Sequence, residues 1–362
     1  MKKFLALALL VVCFSAIPSS SICKDRIIEV KDKDGNWQTL NFIADNLRVS
    51  AMQLMYDIAE GNVTGSSTLH VEARNPDVDT STSPETIWVA GGLRNYLDVD
   101  ELVQVVSSSA EDAGTLLTSG TSTGGSTTSI IDTGATFISD GVLAGDIVIN
   151  DTNDMHAIIE TVDSETQLTT KPTGMTLAVK AYRIATVATG KTGAAVVHIT
   201  GLDEDWDEAD THIIMNGTTD VESDTSLIRI NKFWVTLAGS NGSNVGAISV
   251  ENNASATVLS QIGAGINASE DGSFTVPNDK TLYITGLYAG EGNNDRCIVY
   301  LYKRHDGEVF RPAGGAVSVK QSHGVLSFDG PIKLKAKTDV ELRGVADTDD
   351  AKVSGGFEGY YK

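Results

Sequence analysis

The stretch that most constrains this chain runs from Gly272 to Phe310, GSFTVPNDKTLYITGLYAGEGNNDRCIVYLYKRHDGEVF. It alternates apolar runs with tight-turn chemistry. Val276-Pro277-Asn278-Asp279 marks a turn, because proline fixes φ and Asn or Asp side chains bond their own backbone. Lys280 to Tyr288 is rich in Leu, Tyr, Ile and Thr, residues that suit a pleated surface. Gly290 to Asp295 and Arg304 to Gly307 are further turns. Between them, Cys297 to Tyr302 (CIVYLY) is apolar on both faces, as an inner strand of stacked sheets is.

The same rhythm continues to the C-terminus in GAVSV, GVLSF, PIKLKAK, DVELRG and KVSGGFEGYY. Ile332, Leu334 and Ala336 alternate with Lys333, Lys335 and Lys337, so that strand has one wet face. Upstream, THIIMNG, SLIRINKFWVTLAG, GAISVENN and ATVLSQI read as strands, and Ala194 to Ile199 alternates. Thirty-five glycines against 7 prolines, with 6% aromatics, fit short strands joined by tight turns. No βαβ rhythm is present. The expected fold is all-β: an antiparallel, jelly-roll-like β-sandwich formed by residues 61–114 together with 189–362.

Residues 115–188 break the pattern. A Ser/Thr/Gly tract leads into ATFIS, GDIVIN, HAIIETV, TQLTT and AVKAYRI, with turns at Asp140-Gly141 and Asp163-Ser164. These predict a small β-barrel. Its flanks, LVQVVSSSAEDAG and ATGKTGAAVVHITGLD, read as neighbouring strands, so the barrel is expected as an insertion into a host hairpin.

Residues 1–21 have the form of a secretory signal or an apolar N-terminal segment: Lys2 and Lys3, then an apolar run from Phe4 to Ile17. That run is short for a bilayer, and no stable membrane span is expected after processing. Residues 22–60 predict a hairpin turning at Asp34-Gly35, then one helix from Asp45 to Glu60. Leu47, Ala51, Leu54, Met55 and Ile58 share one helix face. Leu47, Leu54, Met55 and Ile58 are the expected subunit contacts.

A net charge of -21 disfavours nucleic acid as a partner, since phosphate binding needs clustered Lys and Arg. No catalytic, cofactor or metal site is legible. The six histidines, His70, His156, His198, His212, His305 and His323, are scattered without an HExxH or i, i+4 pair, and His70 reads as a structural residue on a short strand. Gly120 to Gly124 matches GxSxG but lies in a low-complexity tract, not at a strand-to-helix elbow. Gly263 to Ala268 lacks a βαβ setting, and Asp32 to Gly35 lacks the closing Glu of a calcium loop. The acidic run from Asp203 to Asp210 reads as a solvated loop with Trp206 folded onto the sheet. Cys13, Cys23 and Cys297 offer no disulfide framework, and Cys297 reads as a buried small hydrophobe.

Five segments carry a resemblance: GNVTGSSTLHVEARNPDVDT, ITGLDEDWDEADTHIIMNGTTDV, IRINKFWVTLAGSNGSNVGAISV, FTVPNDKTLYITGLYAGEGNNDRCIVYLYKR and KTDVELRGVADTDDAKVSGGF. Together they resemble a family of virion structural proteins of tailed bacteriophages, especially marine ones, from about Ala44 to the C-terminus. The segment DTGATFISDGVLAGDIVINDTNDMHAIIETVDSETQLTT resembles a small β-domain found inserted in phage and environmental proteins. The resemblance implies a non-catalytic capsid, decoration or fibre component located in the virion, without cofactors. Its partners would be copies of itself, as a trimer or higher, and other virion or surface proteins. The leader fits a second expectation, a secreted or cell-surface sandwich that binds carbohydrate through exposed Trp206, Tyr288 or Tyr302.

Overall fold

The computed structural model describes residues 28–31, 37–40, 55–80, 83–153, 155–171 and 178–362. The expected N-terminal signal or apolar segment, and Leu47 and Leu54 of the expected helix, lie outside the described residues. The chain divides into two compact units, Met1–Glu60 and Gly61–Lys362. In the first, β1 (Ile28–Lys31) and β2 (Trp37–Leu40) pair antiparallel with Ile28 opposite Leu40, the hairpin expected around Asp34-Gly35. Residues 55–59 are the only α-helical stretch among the described residues; Ile58 is buried there and Met55 half-buried.

The second unit is all strand and turn. It opens with β3 (Ser67–Val78), β4 (Glu85–Thr86) and β5 (Glu101–Ser107). Then come β6 (Gly114–Thr121), β7 (Gly124–Gly125), β8 (Ser129–Ile131), β9 (Ile147–Asn150), β10 (Met155–Ser164), β11 (Gln167–Thr170) and β12 (Ala181–Val187). The chain continues through β13 (Ala194–Leu202), β14 (Glu208–Ile214), β15 (Val221–Leu227), β16 (Arg229–Ala238), β17 (Ile248–Glu251) and β18 (Val258–Ile262). It ends with β19 (Ser273–Thr275), β20 (Thr281–Glu291), β21 (Arg296–His305), β22 (Arg311–Lys320), β23 (His323–Lys335), β24 (Thr338–Ala346) and β25 (Ala351–Tyr361).

The first and last strands build an outer sandwich. One sheet runs β23-β20-β25-β3; the other runs β19-β24-β21-β22, with β4 also on β24. Their inner faces meet in a core that includes Leu282, Ile284, Leu287, Val299, Leu301, Leu342 and Phe357. Cys297 is in the same core, a buried small hydrophobe whose thiol burial pushes up to about 12. If β3 and β19 to β25 are counted one to eight, the antiparallel pairs include 1 with 8, 2 with 7, 3 with 6 and 4 with 5.

A second, inner sandwich lies within the residues expected to form the host sandwich. It packs β14-β13-β16 against β15-β5-β17-β18 over Val103, Val105, Val197, Ile199, Phe233, Ile248 and Val250. All its strands fall between β4 and β19, so the inner sandwich is itself an insertion into the outer one. Period-2 alternation marks a half-buried strand but not the sheet it joins, and so strands of the two sandwiches look alike in sequence.

A third layer of nesting lies within the inner sandwich. Strands β6 to β12 form one sheet of order β6-β12-β9-β10-β11-β8-β7. Only Ser122 and Thr123 separate β6 from β7, yet the two stand at opposite ends of that order, so the sheet curls back on itself. It encloses Phe137, Val148, Ile159, Leu168 and Tyr182. Gly114 pairs with Val187, so the module leaves and rejoins the inner sandwich at one place. Beside that neck, the buried Asp112 carboxylate accepts hydrogen bonds from Ser107 Oγ (2.6 Å) and from the backbone N–H groups of Ala194, Val245 and Gly246 (2.8 Å each).

The outer face of the module is not wet. Ile147 and Ile149 of β9 and Ala185 of β12 pack on Ala195 and Val196 of β13, with Ile214 and Leu237 at the margin. Strand β13 is therefore buried on both faces. Each isoleucine or valine among them contributes roughly 1.5–3 kcal/mol when fully buried.

Candidate functional site

The seam between module and inner sandwich carries three histidines. On β10, Ala157 and Ile159 point into the module, so His156 and Ile158 face outward across the seam. On β13, Val197 and Ile199 point into the inner core, which turns His198 toward the module. His212 of β14 is the registered cross-strand partner of His198. Residues directly opposite on adjacent strands sit close enough for their rings to meet. The two imidazoles stack at a centroid distance of 4.0 Å and 15°. Trp234 of β16 is the partner of His198 on the other side, its ring 4.3 Å away. His212, His198 and Trp234 thus form a transverse row over three strands.

His156 closes on this row from the module, its Nδ1 2.9 Å from His212 Nε2. One ligand nitrogen from each of the three histidines lies within 4.8 Å of the others. His212 is 0% and His198 8% exposed; His156 is half-buried. Both nitrogens of His198 and Nδ1 of His212 have no hydrogen-bond partner. A buried polar atom left without a partner costs about 1–3 kcal/mol. Burial, then the neighbouring His198 and His156 and the Arg183 guanidinium, hold His212 down to about 2. Burial and His198 also lower His156. These two rings are neutral near pH 7, and a neutral imidazole presents a free lone pair.

The rim is polar. Asp210 Oδ1 lies 3.3 Å from His198 Nε2. Arg183 of β12 donates from Nε to Asp151 (2.7 Å) and from Nη2 to Asp224 of β15 (3.1 Å), the latter across the seam. A cavity of about 220 Å³ opens beside His212, lined also by Arg183, Ile213, Val221, Glu222 and Asp224.

Sequence reading left these histidines scattered because 56 positions separate His156 from His212 and no short spacing links them. The available signal was a polar residue within the apolar run AAVVHITGL. His70 stays apart from the cluster, stacked on Tyr288 at 5.9 Å. Trp206 is 5% exposed, under Arg229 at 4.7 Å, so it is folded onto the sheet and offers no platform for a sugar. In the same acidic loop, Asp203 Oδ1 accepts the N–H groups of Asp205 and Asp207 at 3.0 Å each. Ser122 of the GxSxG match is buried beside β6 and bonded to Lys180, remote from any elbow. No family model matches the chain, and no curated protein does.

Proposed function

We propose that this protein is a structural component of a larger assembly, of the capsid, decoration or fibre kind that its resemblance to virion proteins implies. The observation that carries the reading is the nesting: an outer sandwich holds an inner sandwich, which holds a module entering and leaving at the paired Gly114 and Val187. Such an order adds display surface to a body without interrupting its sheets. The pairing of first with eighth and second with seventh strand supports a jelly-roll winding for the body, and the curled module sheet supports a small barrel. Fold alone assigns no role, so assembly must be measured. Negative-stain microscopy and light scattering of the full chain at tens of micromolar are the test. Rings, trimers or filaments that Leu54→Asp disperses support the proposal; a monomer throughout overturns it.

A second reading, surface adhesion through glycans, rests on one face of the outer sandwich. Tyr283 and Tyr360, registered opposite one another, stack at 5.0 Å and 13° on the outer side of β20 and β25. Stacked half-exposed tyrosines are platforms for sugar rings. A glycan array separates the readings, with binding lost in Tyr283→Ala as the outcome that favours adhesion.

A further inference from the structure

We infer that His156, His198 and His212 bind a divalent first-row transition cation, zinc foremost, which staples the inserted module to the inner sandwich. Three independent observations converge on it. Imidazoles from two separately folded layers bring one ligand nitrogen each to within 4.8 Å of one another. Both buried ring nitrogens of His198 and Nδ1 of His212 make no hydrogen bond within the chain, the carboxylate beside them being Asp210, 3.3 Å from His198 Nε2. Behind them the seam is packed with Ile149, Ile158, Val196 and Ile214, and its charged groups, Asp210 and the Arg183 pairs, lie at the rim.

The chemistry fits an imidazole-rich site. Three imidazole nitrogens suit zinc, copper or nickel rather than calcium or magnesium, which require oxygen ligands. Ligand nitrogens on a tetrahedral ion with bonds of about 2.05 Å stand roughly 3.3 Å apart. His156 Nδ1 and His212 Nε2 are already 2.9 Å apart, and the three ligand nitrogens lie within 4.8 Å of one another. Asp210, 3.3 Å from His198 Nε2, is placed as the carboxylate that orients a ligating histidine. Trp234 screens His198 from the far side, while the cavity beside His212 leaves room for water at a fourth position. The Arg183 guanidinium does not oppose a cation, because Asp151 and Asp224 both pair with it. The staple is independent of whether the protein assembles: it joins two layers of one chain.

The test uses the full chain after chelator treatment, titrated with Zn²⁺ by calorimetry and with Co²⁺ by visible absorption. One equivalent per chain is expected, with a higher thermal midpoint in zinc, since a ligand that binds only the folded state stabilises it. His156→Gln should weaken binding by about 100-fold or more, and Asp210→Asn by about 10- to 100-fold. His70→Gln and His323→Gln should change neither. As a readout that needs no variant, imidazole ¹H–¹⁵N spectra of the wild-type chain should show three of the six histidines shifting with zinc. Absence of saturable binding at micromolar zinc overturns the inference, as does undiminished binding in His156→Gln or fewer than three responding rings.

Discussion

Arg229 reaches from β16 of the inner sandwich to Asp339 of β24 in the outer one, Nε donating to Oδ1 at 2.9 Å and Nη2 to Oδ2 at 3.3 Å. Both side chains are buried. Asp339 also accepts from Arg304 Nε at 2.7 Å and from Thr275 Oγ1 at 2.7 Å. The Tyr96 ring lies against the guanidiniums of Arg304 (4.4 Å), Arg229 (5.3 Å) and Arg94 (5.5 Å). The two sandwiches are joined by a desolvated ionic hub, and the seam to the module by aliphatic packing and imidazoles.

Removing one partner from that hub leaves two arginines without their carboxylate. Asp339→Ala should therefore destabilise the chain by about 3–5 kcal/mol, the scale for breaking a buried pair. Urea denaturation followed by circular dichroism measures it. A loss under 1 kcal/mol would falsify the joining role.

Two buried carboxylates should respond to pH with opposite signs. For Asp339, burial raises the carboxyl, but Arg229 and Arg304 outweigh it and hold it below its ordinary value of 3.8. Its contribution is present above that value and is lost as pH falls through the folded value. For Asp271, burial dominates over Arg94 and pushes the carboxyl above 3.8. Its contribution is present at low pH and declines as pH rises through the folded value. From pH 7 down to 3, the thermal-midpoint gap between wild type and Asp339→Asn should shrink, while the gap for Asp271→Asn should widen. Parallel curves would refute the assignment.

Replacing residues 115–186 by a short Gly-Ser linker should leave both sandwiches folded, because the module's ends are paired at Gly114 and Val187. The deletion also uncovers Val196, Ile214 and Leu237, an apolar strip that promotes association. Expected outcomes are native-like β circular dichroism with self-association, and recovery of dispersity on adding Leu237→Ser. An unfolded spectrum would mean that the module is required for the host to fold.

Asp112 anchors the neck with four accepted hydrogen bonds. Truncation strands three backbone donors in the interior. Asp112→Ala should cost roughly 3 kcal/mol or more, and Asp112→Asn less, as one oxygen remains. Hydrogen exchange at Ala194 and Gly246 reads this locally; unchanged protection in Asp112→Ala would refute the anchor.

Local chemistry alone determined much of this protein. Alternation from Gly272 onward set the all-β class, and the flanks that read as neighbouring strands fit the pairing of Gly114 with Val187. The burial of Cys297 and of Trp206 was legible for the same reason: each sits in a pattern read over a few neighbours. Tertiary structure decided the rest. Nothing in a period of two tells β16 to join β13 and β24 to join β21. His198 and His212 meet through strand register, and His156 joins them only because the back of one module settles on β13. Such meetings depend on which surfaces bury one another, a choice made by the whole chain and invisible in the spacing of its residues.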